Sequence, residues 1–111
     1  MLVEMLTFEG CPHAALTRER LDDALRAENA RADVNVVEVA SPERAQEVRF
    51  LGSPSVRIDG EDAEPGADGR SNYGLMCRQY LTGSTSEGVP SVAMLRLSIR
   101  RSLDREMLGS A

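Results

Sequence analysis

A single thiol sits where an apolar run gives way to a helix-forming one, in Phe8-Glu9-Gly10-Cys11-Pro12-His13-Ala14. A side chain at such a junction meets backbone N–H groups that have no intrahelical partner, and the positive end of the helix dipole. Both favour the thiolate, which is the nucleophile in thiol–disulfide exchange. The common redox spacing, Cys-x-x-Cys, would put a second sulfur at position 14, where this chain carries Ala14. Cys11 therefore reads as an attacking thiol with no resolving thiol one turn away, against the plainer reading of a small, inert residue at a strand end. A mixed disulfide formed on it must be released by a thiol from elsewhere. Pro12 suits the first helical turn, where its missing N–H is harmless. His13, the sole histidine, has two readings: a donor that tunes the sulfur, or a solvated first-turn residue. With no second histidine, a histidine-based metal site has no support.

The flanking pattern supplies the elements that must hold this thiol. Residues 3–8 read as a strand, 14 to about 29 as a helix, and 33–39 as a second strand rich in β-branched residues. In the helix, Leu16, Leu21, Ala24 and Leu25 share one face, and Arg18, Glu19, Asp22, Asp23 and Arg26 the other. Ser41-Pro42 is a helix start, with Ser41 as cap, and that helix runs to about residue 50. A third strand spans 54–59. Residues 61–72 are rich in Gly, Asp and Glu and read as a loop. A fourth strand begins at Tyr73 or Leu75 and ends at Leu81. Residues 82–88 are polar, and a last helix runs from Pro90 to about residue 107 with Val92, Leu95, Ile99 and Leu103 on its buried face. The order β-α-β-α-β-β-α predicts an α/β domain with a four-stranded mixed sheet and three helices. Its first βαβ unit is parallel and right-handed, and its last two strands form a hairpin with a long connection.

Composition sets the outer limits. The chain has 111 residues, enough for one domain with a modest core, and no internal repeat. A net charge of −5 gives no electrostatic case for nucleic acid. All 13 basic residues are arginine. Residues 1–6 are apolar but short, lack a basic start and carry Glu4, unlike a signal peptide. No run approaches the ~18 apolar residues of a membrane span. Two cysteines without an export signal point to reduced thiols in a cytoplasm.

With Cys11 after the first strand and Ser53-Pro54 opening the third, the whole chain, residues 1–111, resembles a single thioredoxin-like domain. In that family the proline opening this strand is cis and faces the active cysteine, so the resemblance implies the same for Pro54. An antiparallel third strand would bring its start beside the end of the first, and Pro54 next to Cys11. Cys11-Pro12-His13-Ala14 resembles the Cys-Pro-His-Cys centre of bacterial disulfide oxidases without its last cysteine. Together with Phe50-Leu51-Gly52-Ser53-Pro54 and Tyr73-Gly74-Leu75-Met76-Cys77-Arg78, it looks like small bacterial thioredoxin-like proteins, some of which carry alkylmercury-lyase or mercury-resistance names.

The resemblance implies a monothiol oxidoreductase with Cys11, Pro12, His13 and Pro54 at its centre. Ser53 and Pro54 would leave a backbone edge open to the extended chain of a substrate. The expected partners are a disulfide-containing protein or a small-molecule thiol as co-substrate, with no other cofactor, no nucleic acid and no membrane. Cys77 is the candidate second thiol. In the thioredoxin sheet order it lies two strand spacings from the first strand, about 9–10 Å, against the roughly 7 Å that a disulfide tolerates between Cα atoms. A buried or inert thiol is the plainer reading of Cys77. Asp62, Glu64 and Asp68 lack the spacing of a calcium loop and read as a solvated acidic stretch. Arg49, Arg57 and Arg78 are candidates to meet the carboxylate of a glutathione-like thiol. Two other classes compete with exchange: capture of a soft metal or organomercurial by Cys11 and Cys77, and a non-catalytic interaction domain of the same fold.

Overall fold

The computed structural model describes residues 1–82 and 84–109. Gly83, within the polar stretch of 82–88, and residues 110–111 lie outside the described residues. The main sheet is built from β1 (Leu2–Thr7), β2 (Asp33–Glu38), β3 (Ser55–Ile58) and β4 (Glu61–Asp62) in the order β2-β1-β3-β4. β1 and β2 run parallel, with Leu2 opposite Asp33 and Thr7 opposite Glu38. β3 is antiparallel to β1, with Val3 opposite Ile58 and Leu6 opposite Ser55. Three α-helices complete the layer structure: α1 (Ala14–Ala27), α2 (Pro42–Glu47) and α3 (Val92–Gly109). The domain is therefore α/β, with a four-stranded mixed sheet and three helices. Among the described residues, no helix is long and apolar enough to cross a membrane.

The period-two alternation of β1 divides the core. Val3 and Met5, with Val56 and Ile58 opposite them, point to one face and pack on Leu21, Ala24 and Leu25 of α1 and Leu95 and Ile99 of α3. Leu6 points the other way and packs with Val39, Phe50 and Ala45 of α2. Full burial of each large aliphatic side chain favours this arrangement by about 1.5–3 kcal/mol relative to exposure. The expected buried face of α3 is present, with Leu95 and Ile99 fully buried and Val92 and Leu103 packed at its margins.

Helix ends differ from the expected ones by a few residues, for local reasons. Ser41 caps α2 as expected, its Oγ accepting from the Arg44 N–H at 3.1 Å. Both α1 and α2 end in a left-handed residue, Asn29 (φ 53°) and Arg49 (φ 57°). The paired bonds Ala30 N–H to Leu25 O (2.9 Å) with Asn29 N–H to Arg26 O (3.1 Å), and Phe50 N–H to Ala45 O (2.8 Å) with Arg49 N–H to Gln46 O (3.3 Å), close the last turns. That motif stops α1 before residue 29 and α2 before residue 50. Arg57 then donates to the carbonyls of Val48 and Arg49, at 2.5 and 2.8 Å, at the carboxyl end of α2.

The second half of the chain departs most from expectation. The sheet's fourth strand is Glu61–Asp62, inside the stretch read as loop. Asp59 (φ 49°) and Gly60 (φ 85°) form a two-residue hairpin turn of the left-handed kind that matches sheet twist. A short 3₁₀ turn, Ala67–Gly69, follows. The expected strand from Tyr73 or Leu75 to Leu81 does not join this sheet, because the local hairpin takes the outer edge of β3 with almost no loop to close. Instead β5 (Tyr80–Thr82) pairs with β6 (Thr85–Glu87) in a separate two-stranded ribbon.

Glu28 fastens α1 to α3. Its carboxylate accepts from Arg96 Nε (2.8 Å) and from Arg100 Nε and a terminal nitrogen (2.9 Å each). The Arg100 hydrogen bonds first, and the Arg96 bond second, hold its pKa at about 2, down from an ordinary 4.5. A depressed carboxylate contributes stability that is fully present above pH 4.5 and is lost as pH falls through about 2. Glu28→Gln is therefore expected to flatten the acid limb of stability between those pH values, read as denaturation midpoints of both proteins across the range.

Candidate functional site

Phe8, Gly10 and Cys11 make the turn that leaves β1. The Cys11 N–H donates to Phe8 O at 3.3 Å, and Cys11 O accepts from the Ala14 N–H at 3.4 Å. Gly10 takes φ 80°, a conformation that a side chain would strain. Helix α1 begins only at Ala14, with His13 as N-cap in a non-helical conformation (φ −104°, ψ 0°). Pro12 thus precedes the cap rather than occupying the first helical turn. His13 gives no side-chain cap, so the N–H groups of the first turn receive no acceptor from that residue. Its ring instead lies over Gly88, where an added methyl would stand 2.8 Å from Nε2. Cys11 is half-buried and its thiol is free.

The β1–β3 register carries Ser53 and Pro54 to this turn. Leu6 lies opposite Ser55, and beyond that pair Ser53 Oγ accepts from the Phe8 N–H at 3.3 Å. The Ser53-Pro54 peptide bond is cis. The two separated segments therefore meet at one end of the sheet. Both Ser53 and Pro54 are fully buried.

Residues 73–78 cover the other side of this turn. They run parallel to residues 50–53, with the Gly74 N–H donating to Phe50 O (3.0 Å), the Ser53 N–H to Met76 O (2.8 Å) and the Arg78 N–H to Ser53 O (3.0 Å). Gln46 adds a bond from Nε2 to Tyr73 O at 3.1 Å. Cys77 is the direct partner of Ser53 in this parallel bridge. Gly52 (φ 118°) permits the close approach, since a Cβ there would stand 3.0 Å from Met76 O and 3.1 Å from Arg78 Cβ. The expected open edge at Ser53-Pro54 is thus closed: both Ser53 backbone groups are bonded within the chain. Cys77 is exposed rather than buried, and its thiol is free. It remains one strand beyond Ser53, on the side away from β1.

Arg78 anchors this strap, and its role was not readable from the sequence. It is 2% exposed. Its terminal nitrogens donate to both Asp62 oxygens at 2.7 Å, to Ser55 Oγ at 3.0 Å and to Glu64 Oε1 at 3.3 Å. Ser55 Oγ in turn donates to Gly52 O at 2.6 Å. The guanidinium lies 4.3 Å from the Tyr80 ring centre, and the buried Tyr80 hydroxyl donates to Pro54 O at 2.5 Å. Burial opposes the Arg78 charge, but the Asp62 hydrogen bonds and the surrounding negative groups outweigh it and raise its pKa. Burial first, with Asp62 and Glu64 acting in the same direction, pushes the Tyr80 pKa up and keeps the hydroxyl a neutral donor. Glu64 also accepts from Arg70 (2.9 Å) and from the Leu81 N–H (3.0 Å).

These contacts correct two expectations. Asp62 and Glu64 are buried partners of Arg78, not a solvated acidic stretch, whereas Asp68 is exposed and accepts from the Asp62 N–H (3.2 Å). The three arginines do not gather at Cys11. Arg78 is consumed internally, while Arg49 and Arg57 line a separate cavity of about 310 Å³ with Arg70 and Tyr73. An open groove of about 390 Å³ is lined by Phe8, Glu9, Glu38, Val39 and Leu75, and so includes two residues of the turn region between β1 and Cys11. Among the described residues, no group of three or more His, Cys, Asp or Glu side chains is placed to hold a metal ion. No family model, curated protein or solved structure matches the chain.

Removing the cation from a buried ion pair leaves its carboxylates uncompensated. Arg78→Met is expected to cost about 3–5 kcal/mol in chemical denaturation. Gly52→Ala, which adds a methyl against Met76 O at a left-handed position, is expected to cost about 1–3 kcal/mol by the same measurement.

Proposed function

We propose that this chain is a thioredoxin-like domain in which Cys11 carries thiol–disulfide exchange as a single active thiol. The observation that carries the reading is the juxtaposition of the Ser53-Pro54 step with the turn of Cys11, through the β1–β3 register and the Ser53 Oγ bond to the Phe8 N–H. The strand order β2-β1-β3-β4, with α1 and α3 on one face and α2 on the other, supports the same reading.

The Cys11 thiolate attacks one sulfur of a disulfide RS–SR′, forming Cys11–S–SR and expelling R′S⁻. Ala14 supplies no sulfur to displace RS. A second thiolate, R″S⁻, then attacks the R-side sulfur, regenerates the Cys11 thiolate and leaves as RS–SR″. Protons lost and gained by the thiols balance with solvent. The uncapped first turn of α1 supplies the local polarity, and the Ser53-Pro54 step is held at the same end of the sheet as the turn of Cys11.

The test is to treat the reduced protein with bis(2-hydroxyethyl) disulfide at neutral pH and map the adduct by mass spectrometry of peptides. A mercaptoethanol adduct on Cys11 is expected, and a small thiol should reverse it. Cys11→Ser should abolish turnover of small thiols and disulfides, and Cys77→Ser should retain it. Turnover that survives in Cys11→Ser, or an adduct confined to Cys77, would sink the proposal.

A further inference from the structure

Resting on the exchange reading, we infer that Cys11 is built for small-molecule disulfides and gives an extended polypeptide disulfide no strand-pairing advantage over them, because the chain's own residues 73–78 occupy the backbone edge with which a polypeptide would pair. Recognition of an extended chain by strand addition needs unpaired N–H and C=O groups. At the residue before Pro54 there are none. The Ser53 N–H is bonded to Met76 O at 2.8 Å, and Ser53 O accepts the Arg78 N–H at 3.0 Å.

Three independent features make this occupancy a built one. Gly52 provides the space, since a Cβ would stand 3.0 Å from Met76 O. The Gly74 N–H bond to Phe50 O and the Gln46 bond to Tyr73 O register the strap from its start. The buried guanidinium of Arg78, bonded to Asp62, Ser55 and Glu64, holds its far end. Displacing the strap would draw Arg78 away from Asp62 and Glu64 and leave their buried carboxylates uncompensated, a larger cost than a new pair of peptide hydrogen bonds returns. A groove of Phe8, Glu9, Glu38, Val39 and Leu75, of about 390 Å³ and so of a size for a small molecule, adjoins the turn of Cys11 through Phe8, whose carbonyl accepts from the Cys11 N–H. Leu75 of the strap forms part of its wall. The strap thus closes one mode of recognition and helps to shape another.

Two probes separate the modes. One is bis(2-hydroxyethyl) disulfide, and the other is the mixed disulfide of mercaptoethanol with a cysteine in the middle of a short, neutral, extended peptide. The rate of Cys11 consumption by each is followed under identical conditions. The inference expects the peptide to react no more than about threefold faster than the small disulfide, whereas an available edge would favour it by about tenfold or more. Hydrogen exchange at the Ser53 and Arg78 amides should be slow in the free protein and unchanged by saturating peptide. In Gly74→Pro, which deletes the Gly74 N–H bond, faster exchange at the Ser53 amide should accompany a relative gain for the peptide. A tenfold preference for the peptide in the natural protein overturns the inference and leaves the exchange reading standing. So does a folded Gly74→Pro whose Ser53 amide has lost protection without any gain for the peptide. If neither probe modifies Cys11, the exchange reading fails, and this inference with it.

Discussion

The bidentate pair between Arg78 and Asp62 is the interaction on which the second half of the molecule depends. A buried guanidinium is unfavourable unless its charge and its hydrogen bonds are met. Asp62 meets the charge with two bonds of 2.7 Å, and Ser55 and Glu64 take further donors. Those partners come from β3, β4 and the segment after it, so one side chain ties three stretches together. Because Ser55 Oγ also bonds Gly52 O and Tyr80 bonds Pro54 O, the pair fixes the turn that presents the cis proline. Among the described residues, Arg78 Nε has no acceptor, which fits a geometry set by the fork of terminal nitrogens.

The same pair explains how one edge of β3 is shared. The hairpin at Asp59-Gly60 places Glu61 and Asp62 against Ile58 and Arg57, and the Ala63 N–H bonds Val56 O at 2.9 Å. Farther along that edge, residues 73–78 pair with residues 50–53. The first segment supplies Asp62 and the second supplies Arg78, so the charges meet where the two coverings adjoin. The β5–β6 ribbon is drawn against α1 in a similar way, by Arg20 bonding Glu87 and Pro90 O and by His13 lying on Gly88. The region around Cys11 is thereby enclosed by parts of the chain remote from it in sequence.

The first half of the fold is legible in the sequence because its signals are local. Alternation in residues 3–8, the apolar face of residues 14–27 and the Ser41-Pro42 start each act within a turn or two of chain. The hairpin was also legible, since Asp59-Gly60 between a strand and an alternating segment is a strong short-range turn signal. The acidic composition around it masked that signal and made the stretch read as loop. A strand of two residues offers too short a pattern to assert itself. The run from residue 73 to 81 has strand-like composition, but composition cannot tell a sheet member from a strap lying along a turn.

By itself the sequence determined that a lone thiol, Cys11, follows an apolar strand and precedes a helix, that no second sulfur stands at position 14, and that a Ser-Pro step opens the third strand. Those are statements about order along the chain, and short-range backbone preferences are enough to make them. Tertiary structure alone decided that Ser53 spends both backbone groups on residues 76 and 78, that Cys77 is exposed beside it, and that Arg78, Asp62 and Glu64 are buried together. Such outcomes depend on which segments compete for one sheet edge. The desolvation of a charge is settled by partners many residues away, which no local pattern encodes.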